Sequence, residues 1–166
     1  MSPNAFVAYT AIVLTHGERY LLLQRAAAKR FMPGKWTGIG GMVEQHELDD
    51  LRASALRELR EETGITADEI MNFTLRRALV HARAGGPLTL LLYFTGSLSA
   101  PVTLSCTEGV LRWVTRAEMA ELDIIDTTRP VLPLLVDDIR RDPEGREPVK
   151  LGAARHRPDS VEIVWV

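Results

Sequence analysis

The stretch that decides the fold is Gly40-Gly41-Met42-Val43-Glu44-Gln45-His46-Glu47, followed by Arg57-Glu58-Leu59-Arg60-Glu61-Glu62-Thr63-Gly64-Ile65. A double glycine leads toward a predicted helix that carries Arg-Glu-x-x-Glu-Glu and stops at a glycine. Glycines allow a backbone turn to approach a bound group closely. The stretch therefore predicts carboxylates around a divalent cation, beside a turn that a phosphate chain can approach.

The helix that carries the second half of this stretch is predicted over residues 48–63. Its apolar face recurs at helical spacing through Leu48, Leu51, Ala55 and Leu59. Asp49 or Asp50 can cap its start, and Gly64 is a natural stop.

Three carboxylates, those of Glu58, Glu61 and Glu62, project from one side of this helix within one turn. Like charges at this spacing repel by a few tenths of a kcal/mol, and a divalent cation offsets the repulsion. Carboxylate oxygens suit Mg²⁺ or Mn²⁺, and Arg57 is placed to hold a neighbouring carboxylate. The helix alone also fits a second interpretation, a solvated acidic face interspersed with arginines.

The complete pattern resembles the signature of the Nudix hydrolases: Gly, five residues, Glu, seven residues, then Arg-Glu-aliphatic-x-Glu-Glu-x-Gly-aliphatic. Gly41 and Glu47 match the first half, and the segment 57–65 matches the second half in full. Nine residues separate Glu47 from Arg57, two more than in the family pattern. This insertion leaves the helical carboxylates in register and bears on the placement of Glu47, which in the family supports the cluster from the loop.

Segments on both sides of this motif extend the resemblance. Residues 21–25 resemble the strand that precedes it in the family, and residues 33–41 resemble the segment that leads into it in MutT-type enzymes. Residues 108–114 resemble a later segment that often supplies another acidic residue. Glu108 is therefore a candidate metal ligand or general base, with an exposed loop glutamate as the alternative.

The resemblance implies an α/β fold, a mixed β-sheet in an α/β/α sandwich, formed by one domain over residues 1–166. It implies that Arg57 orients a glutamate and that Mg²⁺, with Mn²⁺ as a substitute, is the cofactor. The implied catalytic residues are Arg57, Glu58, Glu61 and Glu108, the metal ligands are Gly40 (through its carbonyl), Glu58, Glu61 and Glu62, and Glu47 is the support.

The substrate-binding residues that follow from the same resemblance are Arg25, Trp36, Thr37, Gly41 and Asp126. In enzymes that remove oxidised purine triphosphates, an Asn often follows the tryptophan and contacts the base. Thr37 has that place here, and its single hydroxyl cannot make a two-point amide contact. Trp36 also fits plain core packing, and Asp126 also fits a cap or turn residue.

Three functions remain open at this stage. The first is Mg²⁺-dependent hydrolysis of nucleoside triphosphates to nucleoside monophosphate and pyrophosphate, with oxidised purine nucleotides such as 8-oxo-dGTP as an option. The second is hydrolysis of another nucleoside-diphosphate compound, such as ADP-ribose, a nucleotide sugar or a dinucleoside polyphosphate. The third is a non-catalytic nucleotide-binding module, which the presence of all three helical glutamates disfavours.

Composition limits the partners of the chain. Its 166 residues carry a net charge of −2, so no global basic field attracts nucleic acid or an anionic membrane. The single cysteine, Cys106, cannot form an intrachain disulfide. The start lacks a basic signal-peptide region, and no apolar run approaches a membrane span. We expect a cytoplasmic protein with a small-molecule nucleotide substrate, and the family resemblance leaves a homodimer open.

The other predicted elements form a mixed order of strands and helices. Strands are predicted over residues 5–14, 19–24, 36–42, 73–82, 88–98, 109–114 and 161–166. Helices are predicted over 116–122, with Thr115 as cap, and over 130–140, and residues 142–148 are predicted as a polar linker.

Overall fold

The computed structural model describes residues 5–101 and 105–166. Its strands are β1 (Phe6–His16), β2 (Arg19–Arg25), β3 (Trp36–Thr37), β4 (Ile70–His81), β5 (Leu88–Leu98), β6 (Gly109–Val114), β7 (Lys150–His156) and β8 (Val161–Trp165). Its α-helices are α1 (Leu51–Thr63), α2 (Arg116–Ala120) and α3 (Leu132–Arg141), and short 3₁₀ turns cover Gln45–Glu47 and Ala67–Glu69.

The strands form one mixed sheet with the order β3-β2-β1-β5-β4-β7-β8, and β6 pairs with β2. The β1–β5 and β4–β7 pairs are parallel, whereas β1–β2, β4–β5 and β7–β8 are antiparallel. The long central pairs place β1 beside β5 in the middle of the sheet, whereas β3, which leads to the glycine turn, lies at the edge. The predicted mixed sheet is confirmed.

Alternate residues along the strands face opposite sides of the sheet and pack in two separate core layers. On β2, Leu21 and Leu23 pack toward α1, whereas Tyr20 and Leu22 pack toward α3. The α1 layer includes Leu59, which is fully buried. The two layers give the predicted α/β/α sandwich, with the glutamate-bearing helix on one side of the sheet and α3 on the other.

The structure corrects the predicted start of the first helix. The Asp50 side chain accepts a hydrogen bond from the Ala53 backbone N–H at 2.9 Å, so α1 begins at Leu51, and Leu48 lies outside it, about half exposed. The predicted stop at Gly64 is confirmed, because Gly64 adopts φ 77° and its N–H bonds to the Arg60 carbonyl.

Two strand predictions need correction. The strand predicted over 36–42 is regular only over Trp36–Thr37, after which the glycines allow isolated bridges from Ile39 to Ile12 and from Met42 to Tyr9. Strand β7 was not predicted, and it pairs with β4 and with the predicted closing strand β8. None of the helices in the described part of the chain combines the length and apolar character needed to span a membrane.

Candidate active site

The glycine turn is built against β1. The Thr10 N–H donates to the Gly41 carbonyl at 2.9 Å, and Gly40 adopts φ 150°. A Cβ on Gly40 would lie 2.7 Å from the Thr10 carbonyl carbon, and a Cβ on Gly41 would lie 2.6 Å from Cδ of Glu58. Because the Glu58 carboxylate occupies the space beside Gly41, the turn and α1 are in direct contact.

Arg57 brings three of the predicted glutamates together. Its Nε and Nη2 donate to the two carboxylate oxygens of Glu47 at 2.5 and 2.9 Å. Its Nη1 donates to Glu58 at 2.8 Å and to Glu61 at 3.0 Å. The Arg57 hydrogen bond holds the pKa of Glu47 at about 2, below its usual value of 4.5. Both partners are therefore charged at neutral pH.

A compact turn places Glu47 despite the longer connection to the helix. In the 3₁₀ turn the Glu47 carboxylate accepts from its own N-cap, the Glu44 N–H, at 3.0 Å, and from Ser54 Oγ on α1 at 2.8 Å. The Asp50 N–H then donates to the Glu47 carbonyl at 3.0 Å. The lengthened connection is taken up between this turn and the first residue of α1.

Glu62 differs from the other glutamates because Arg57 does not bond to it. Its Oε2 atom is buried and has no hydrogen-bond partner among the described residues. Burial and the charge of Glu58 raise the pKa of Glu62 to about 7, against a backbone hydrogen bond from Gly40 and the charges of Lys29 and Arg25. The Glu62 carboxylate therefore lies beside the glycine turn with one oxygen that lacks a hydrogen-bond partner among the described residues.

The loop that carries Glu108 lies beside Glu62. The Thr107 N–H donates to the Glu62 carbonyl at 3.3 Å, and the Ala26 N–H donates to the Glu108 carbonyl at 3.1 Å. The Glu108 carboxylate forms an ion pair with Lys29. The structure therefore places this carboxylate on the loop that borders the glutamate cluster, with a cation from the 26–35 loop beside it.

Arg25 and Thr37 face the same side of the sheet as α1. Thr37 pairs with Leu23, whose side chain lies in the α1 layer. Arg25 is two residues after Leu23 on β2 and therefore faces the same side. Arg25 Nε donates to the Phe31 carbonyl at 2.9 Å. With Gly41, these are the predicted substrate-binding residues that lie on the side of the carboxylates.

The structure does not bring Trp36 and Asp126 into this group. The Trp36 side chain packs in the α3 layer and only 7% of the residue is exposed. Asp126 accepts from Arg83 Nη1 and Nη2 at 3.0 and 2.5 Å, and the Arg83 hydrogen bonds lower its pKa. Substrate contacts by these two residues stay predictions.

Sequence reasoning missed two residues that touch the cluster. Ser54 bonds to Glu47, and its only signal was its position one turn before Arg57 on the same helix face. Lys29 pairs with Glu108, and its signal was the basic character of the loop over 26–35. Spacing alone did not identify them, because the Ser54 contact depends on the 3₁₀ turn that carries Glu47 and because Lys29 and Glu108 are far apart in sequence.

The donor set is that of a hard cation, although the side chains of the described residues are not arranged as a ready-made group of three metal ligands. Glu58 and Glu61 instead accept hydrogen bonds from Arg57. Oxygen donors of this kind are the ligands that Mg²⁺ and Mn²⁺ prefer.

Comparisons with known proteins identify the family and the fold of the chain. The sequence profile described as the NUDIX domain matches residues 5–135. The fold is similar to that of the mutator MutT protein from Bacillus halodurans, with 21% identity, 95% of this chain and 97% of that chain covered, and a TM-score of 0.66. It is similar to the MutT protein from Methanosarcina mazei Go1, with 23% identity, 85% and 97% covered, and a TM-score of 0.64.

A C. elegans Ap4A hydrolase is similar as well, with 20% identity, 82% of this chain and 98% of that chain covered, and a TM-score of 0.64. At these identities the structures demonstrate the shared fold, and the profile demonstrates the family. The predicted family and its α/β/α fold are thus confirmed: the chain belongs to the Nudix family, hydrolases that act on phosphoric anhydride bonds in nucleoside-diphosphate compounds.

Proposed function

We propose that this chain is a Mg²⁺-dependent pyrophosphohydrolase that converts nucleoside triphosphates to nucleoside monophosphate and pyrophosphate. The observation that carries the proposal is the buried Oε2 of Glu62, which lacks a hydrogen-bond partner beside Glu58 and Gly40. A buried polar atom left in this way costs on the order of 1–3 kcal/mol. A cation bound at that oxygen removes this cost.

The residues around Glu62 fit such a cation. The carboxylates of Glu58, Glu61 and Glu62 and the Gly40 carbonyl would hold it, and all are hard oxygen donors. Mn²⁺ is expected to substitute, because it accepts the same ligands. When bound, the cation supplies neutralisation of phosphate charge and a lowered pKa of bound water.

Arg57, Glu108 and Lys29 have the remaining roles in the proposed site. Arg57 fixes Glu58 and Glu61 through its Nη1 donors, so that both carboxylates are held before a substrate arrives. Glu108 is the carboxylate that we assign to proton removal from the attacking water. Phosphate oxygens of the substrate would compete with Glu108 for the ammonium group of Lys29. A phosphate bound to Lys29 would therefore leave the Glu108 carboxylate unpaired.

A triphosphate is favoured by the cations beside the carboxylates. Arg25 and Lys29 both act electrostatically on Glu62, and together they suit a chain of anionic phosphates. Thr37 and Gly41 lie on the same side of the sheet for contacts with the remaining substrate. Trp36 is buried and Asp126 is paired with Arg83, so an oxidised purine such as 8-oxo-dGTP is one option among several.

The test is pyrophosphate release with Mg²⁺ over a panel of normal and oxidised nucleoside triphosphates. ADP-ribose, nucleotide sugars and dinucleoside polyphosphates are included, with products identified by mass. Free pyrophosphate from one or more triphosphates is the expected result. Cleavage confined to the diphosphate-linked compounds would overturn the triphosphate assignment, and binding without turnover under Mg²⁺ and Mn²⁺ would indicate a non-catalytic module.

Glutamine variants test the site itself. Glu61→Gln and Glu62→Gln should remove nearly all turnover while the fold, followed by circular dichroism, is retained. Glu121→Gln, an exposed glutamate after α2, is the matched control and should keep full activity. Full activity in both site variants would disprove the assignment of the carboxylate cluster.

A further inference from the structure

A small polar cavity lies on the α3 side of the sheet, the face opposite to the glutamate cluster. Its volume is about 90 Å³, and it lies between the last residues of β1 and β5, the start of β4 and the C-terminal end of α3. Thr15 and Thr95 are two residues after Val13 and Tyr93, whose side chains pack in the α3 layer, and therefore face the same side. We call this cavity the Arg76 pocket; its lining includes Thr15, Asn72, Arg76, Thr95, Ser97 and Ile139.

A bulge in β4 directs Arg76 toward the pocket. Leu75 and Arg77 both pair with residues of β5, and Arg76 between them is an extra residue. Arg77 bonds to Asp138 on α3. The bulge turns Arg76 toward the same side, where it bonds to Asp142 at the end of α3. Two consecutive guanidinium groups therefore face α3, and only that of Arg76 lines the cavity.

Arg76 has more N–H donors than the surrounding protein satisfies. Its Nε donates to Thr95 Oγ1 at 2.8 Å, and its Nη1 donates to the carbonyl and carboxylate oxygens of Asp142 at 2.6 and 3.2 Å. Its Nη2 donates to no residue in the ranges 5–101 and 105–166. Because the Arg76 side chain is only 6% exposed, these donors need an acceptor inside the pocket.

The hydroxyl groups that line the pocket also lack good acceptors. Thr95 is 1% exposed, and its Oγ1 accepts from Arg76, so its own O–H needs a separate acceptor that the described part of the chain does not supply. Thr15 and Ser97 donate to backbone carbonyls at 3.5 Å, well beyond the roughly 2.7–2.8 Å of a good O–H···O bond. The pocket therefore suits a ligand that accepts hydrogen bonds.

The charge of Arg76 favours an anion over a neutral acceptor. Burial lowers the pKa of Arg76, although the acids Asp142, Asp138 and Glu147 act to raise it. The charged guanidinium is therefore less well stabilised in the fold than in water. An anion at Nη2 would form charge-assisted hydrogen bonds, which are about twice as strong as neutral ones.

We propose that the Arg76 pocket binds a small carboxylate, of the size of formate or acetate. One carboxylate oxygen accepts from Arg76 Nη2 and the other from the Thr95 hydroxyl. The cavity has room for about three water molecules at roughly 30 Å³ each, and this room limits the size of the ligand. The site includes no residue of the glutamate cluster, so its failure would leave the proposed function unaffected.

The first test is thermal unfolding of the full chain in increasing sodium acetate or formate, with the ionic strength held constant by sodium chloride. A ligand that binds only the folded chain stabilises it, so the melting temperature should rise and saturate, by about 3–6 °C at about ten times the dissociation constant. Acetamide, a neutral molecule of the same shape, should have no such effect. No saturable rise, an equal rise with acetamide, or a larger rise with inorganic phosphate would overturn the proposal.

Two serine variants locate the effect in the chain. Ser97→Leu places a larger side chain in the pocket and should abolish the rise with acetate. Ser99→Leu is the matched control, because Ser99 is exposed, follows two residues later and does not line the pocket. It should respond to acetate as the wild-type chain does. Equal responses of the two variants would contradict binding in the Arg76 pocket.

The Nε–Hε signal of Arg76 in ¹⁵N NMR tests the contact in the unaltered chain. It should shift with acetate, with the same half-saturation as the melting temperature, because a carboxylate at Nη2 alters the adjacent guanidinium atoms. The corresponding signal of Arg77, whose Nε donates to Asp138 at 2.6 Å, should not shift. The two signals are identified by their absence in Arg76→Lys and Arg77→Lys. Equal shifts of both signals, or no shift of either, would overturn the assignment to Arg76.

Discussion

Arg57 and Glu47 are joined by two parallel hydrogen bonds of 2.5 and 2.9 Å, across a connection that is two residues longer than the family pattern. The side chains are 26 and 11% exposed, so the pair is only partly screened by water. The same guanidinium holds Glu58 and Glu61. The insertion therefore leaves intact the contact through which the loop supports the helical carboxylates.

Replacement of Arg57 by lysine should lower activity by about 10–100-fold, the usual effect of losing a partner that orients a metal ligand. An ammonium cannot reproduce the planar fork that reaches Glu47 and Glu58 together. Steady-state rates with Mg²⁺ measure the effect, and Arg60→Lys on the exposed part of the same helix is the control. Equal rates in the two variants would show that the fork is dispensable.

Glu62→Gln should have opposite effects on stability with and without metal. The pKa of Glu62 is about 7 in the folded chain and 4.5 normally, so its contribution to stability is present below pH 4.5 and lost as pH rises through 7. At pH 8 without metal, glutamine removes a buried charge and should raise the melting temperature by a few degrees.

Added Mg²⁺ should then raise the melting temperature of the wild-type chain more than that of Glu62→Gln, because the variant lacks a ligand. Thermal unfolding at pH 8 with EDTA and with Mg²⁺ measures both effects. Glu121→Gln should behave as the wild-type chain does. An equal response of Glu62→Gln to Mg²⁺ would remove Glu62 from the proposed ligand set.

The glycine turn predicts a difference between two alanine variants. Gly41→Ala should displace the Glu58 carboxylate, since a Cβ would lie 2.6 Å from its Cδ, and should abolish most activity. In Gly85→Ala the added Cβ would meet no neighbouring atom. The only cost is the backbone strain at φ 73°, about 1 kcal/mol. Rates normalised to folded protein separate the two effects. Full activity in Gly41→Ala would show that Glu58 can move without consequence.

The helix of the site was predictable from sequence because its signals are local. The cap Asp50, the αL stop Gly64 and the spacing of the glutamates all lie within one segment. The support from Glu47 was implied by the family pattern, but its geometry depends on a 3₁₀ turn and on Ser54, which no spacing rule specifies. Asp126 illustrates the limit, since its partner Arg83 is 43 residues away.

Strand β7 was missed because its residues have little intrinsic preference for a strand. Its sequence includes Gly152, Ala153 and Ala154, which are depleted in strands. Pairing with β4 and β8 imposes the conformation, and a Cβ on Gly152 would lie 2.7 Å from the Trp165 ring. The strand is thus specified by tertiary contacts that only the fold supplies.

Two neighbouring aspartates on α3 should differ sharply in their effect on stability. Asp138 is buried and accepts two hydrogen bonds from Arg77 at 2.6 and 2.9 Å. Asp138→Ala would leave Arg77 buried without its partner, at a cost of about 3–5 kcal/mol. Asp137→Ala removes only an exposed pair with Arg116 and should cost less than about 1 kcal/mol. Urea unfolding compares them, and equal losses would contradict the buried pair.

Acid should destabilise the chain through His81. This residue is 8% exposed, and its Nδ1 lies 3.1 Å from Nε2 of His156. Burial and the charges of His156 and Arg83 lower the pKa of His81 from 6.5 to about 4, although the charge of Asp126 acts to raise it. The unfolded chain therefore takes up a proton first, and the contribution of His81 to stability falls as pH decreases from 6.5 to about 4, whereas that of Glu62 rises over the same range.

The loss over this interval should be on the order of 1–3 kcal/mol, and His81→Gln, which does not titrate, should remove most of it. Urea unfolding from pH 7 to pH 4 measures the slope, with His46→Gln, an exposed histidine of the 3₁₀ turn, as the control. Below about pH 4 both states carry the proton and the His81 contribution stops changing. An equal pH dependence of the wild-type chain and His81→Gln would assign the acid sensitivity to groups other than His81. Glu47 is not such a group above pH 4.5, because its pKa is lowered from 4.5 to about 2.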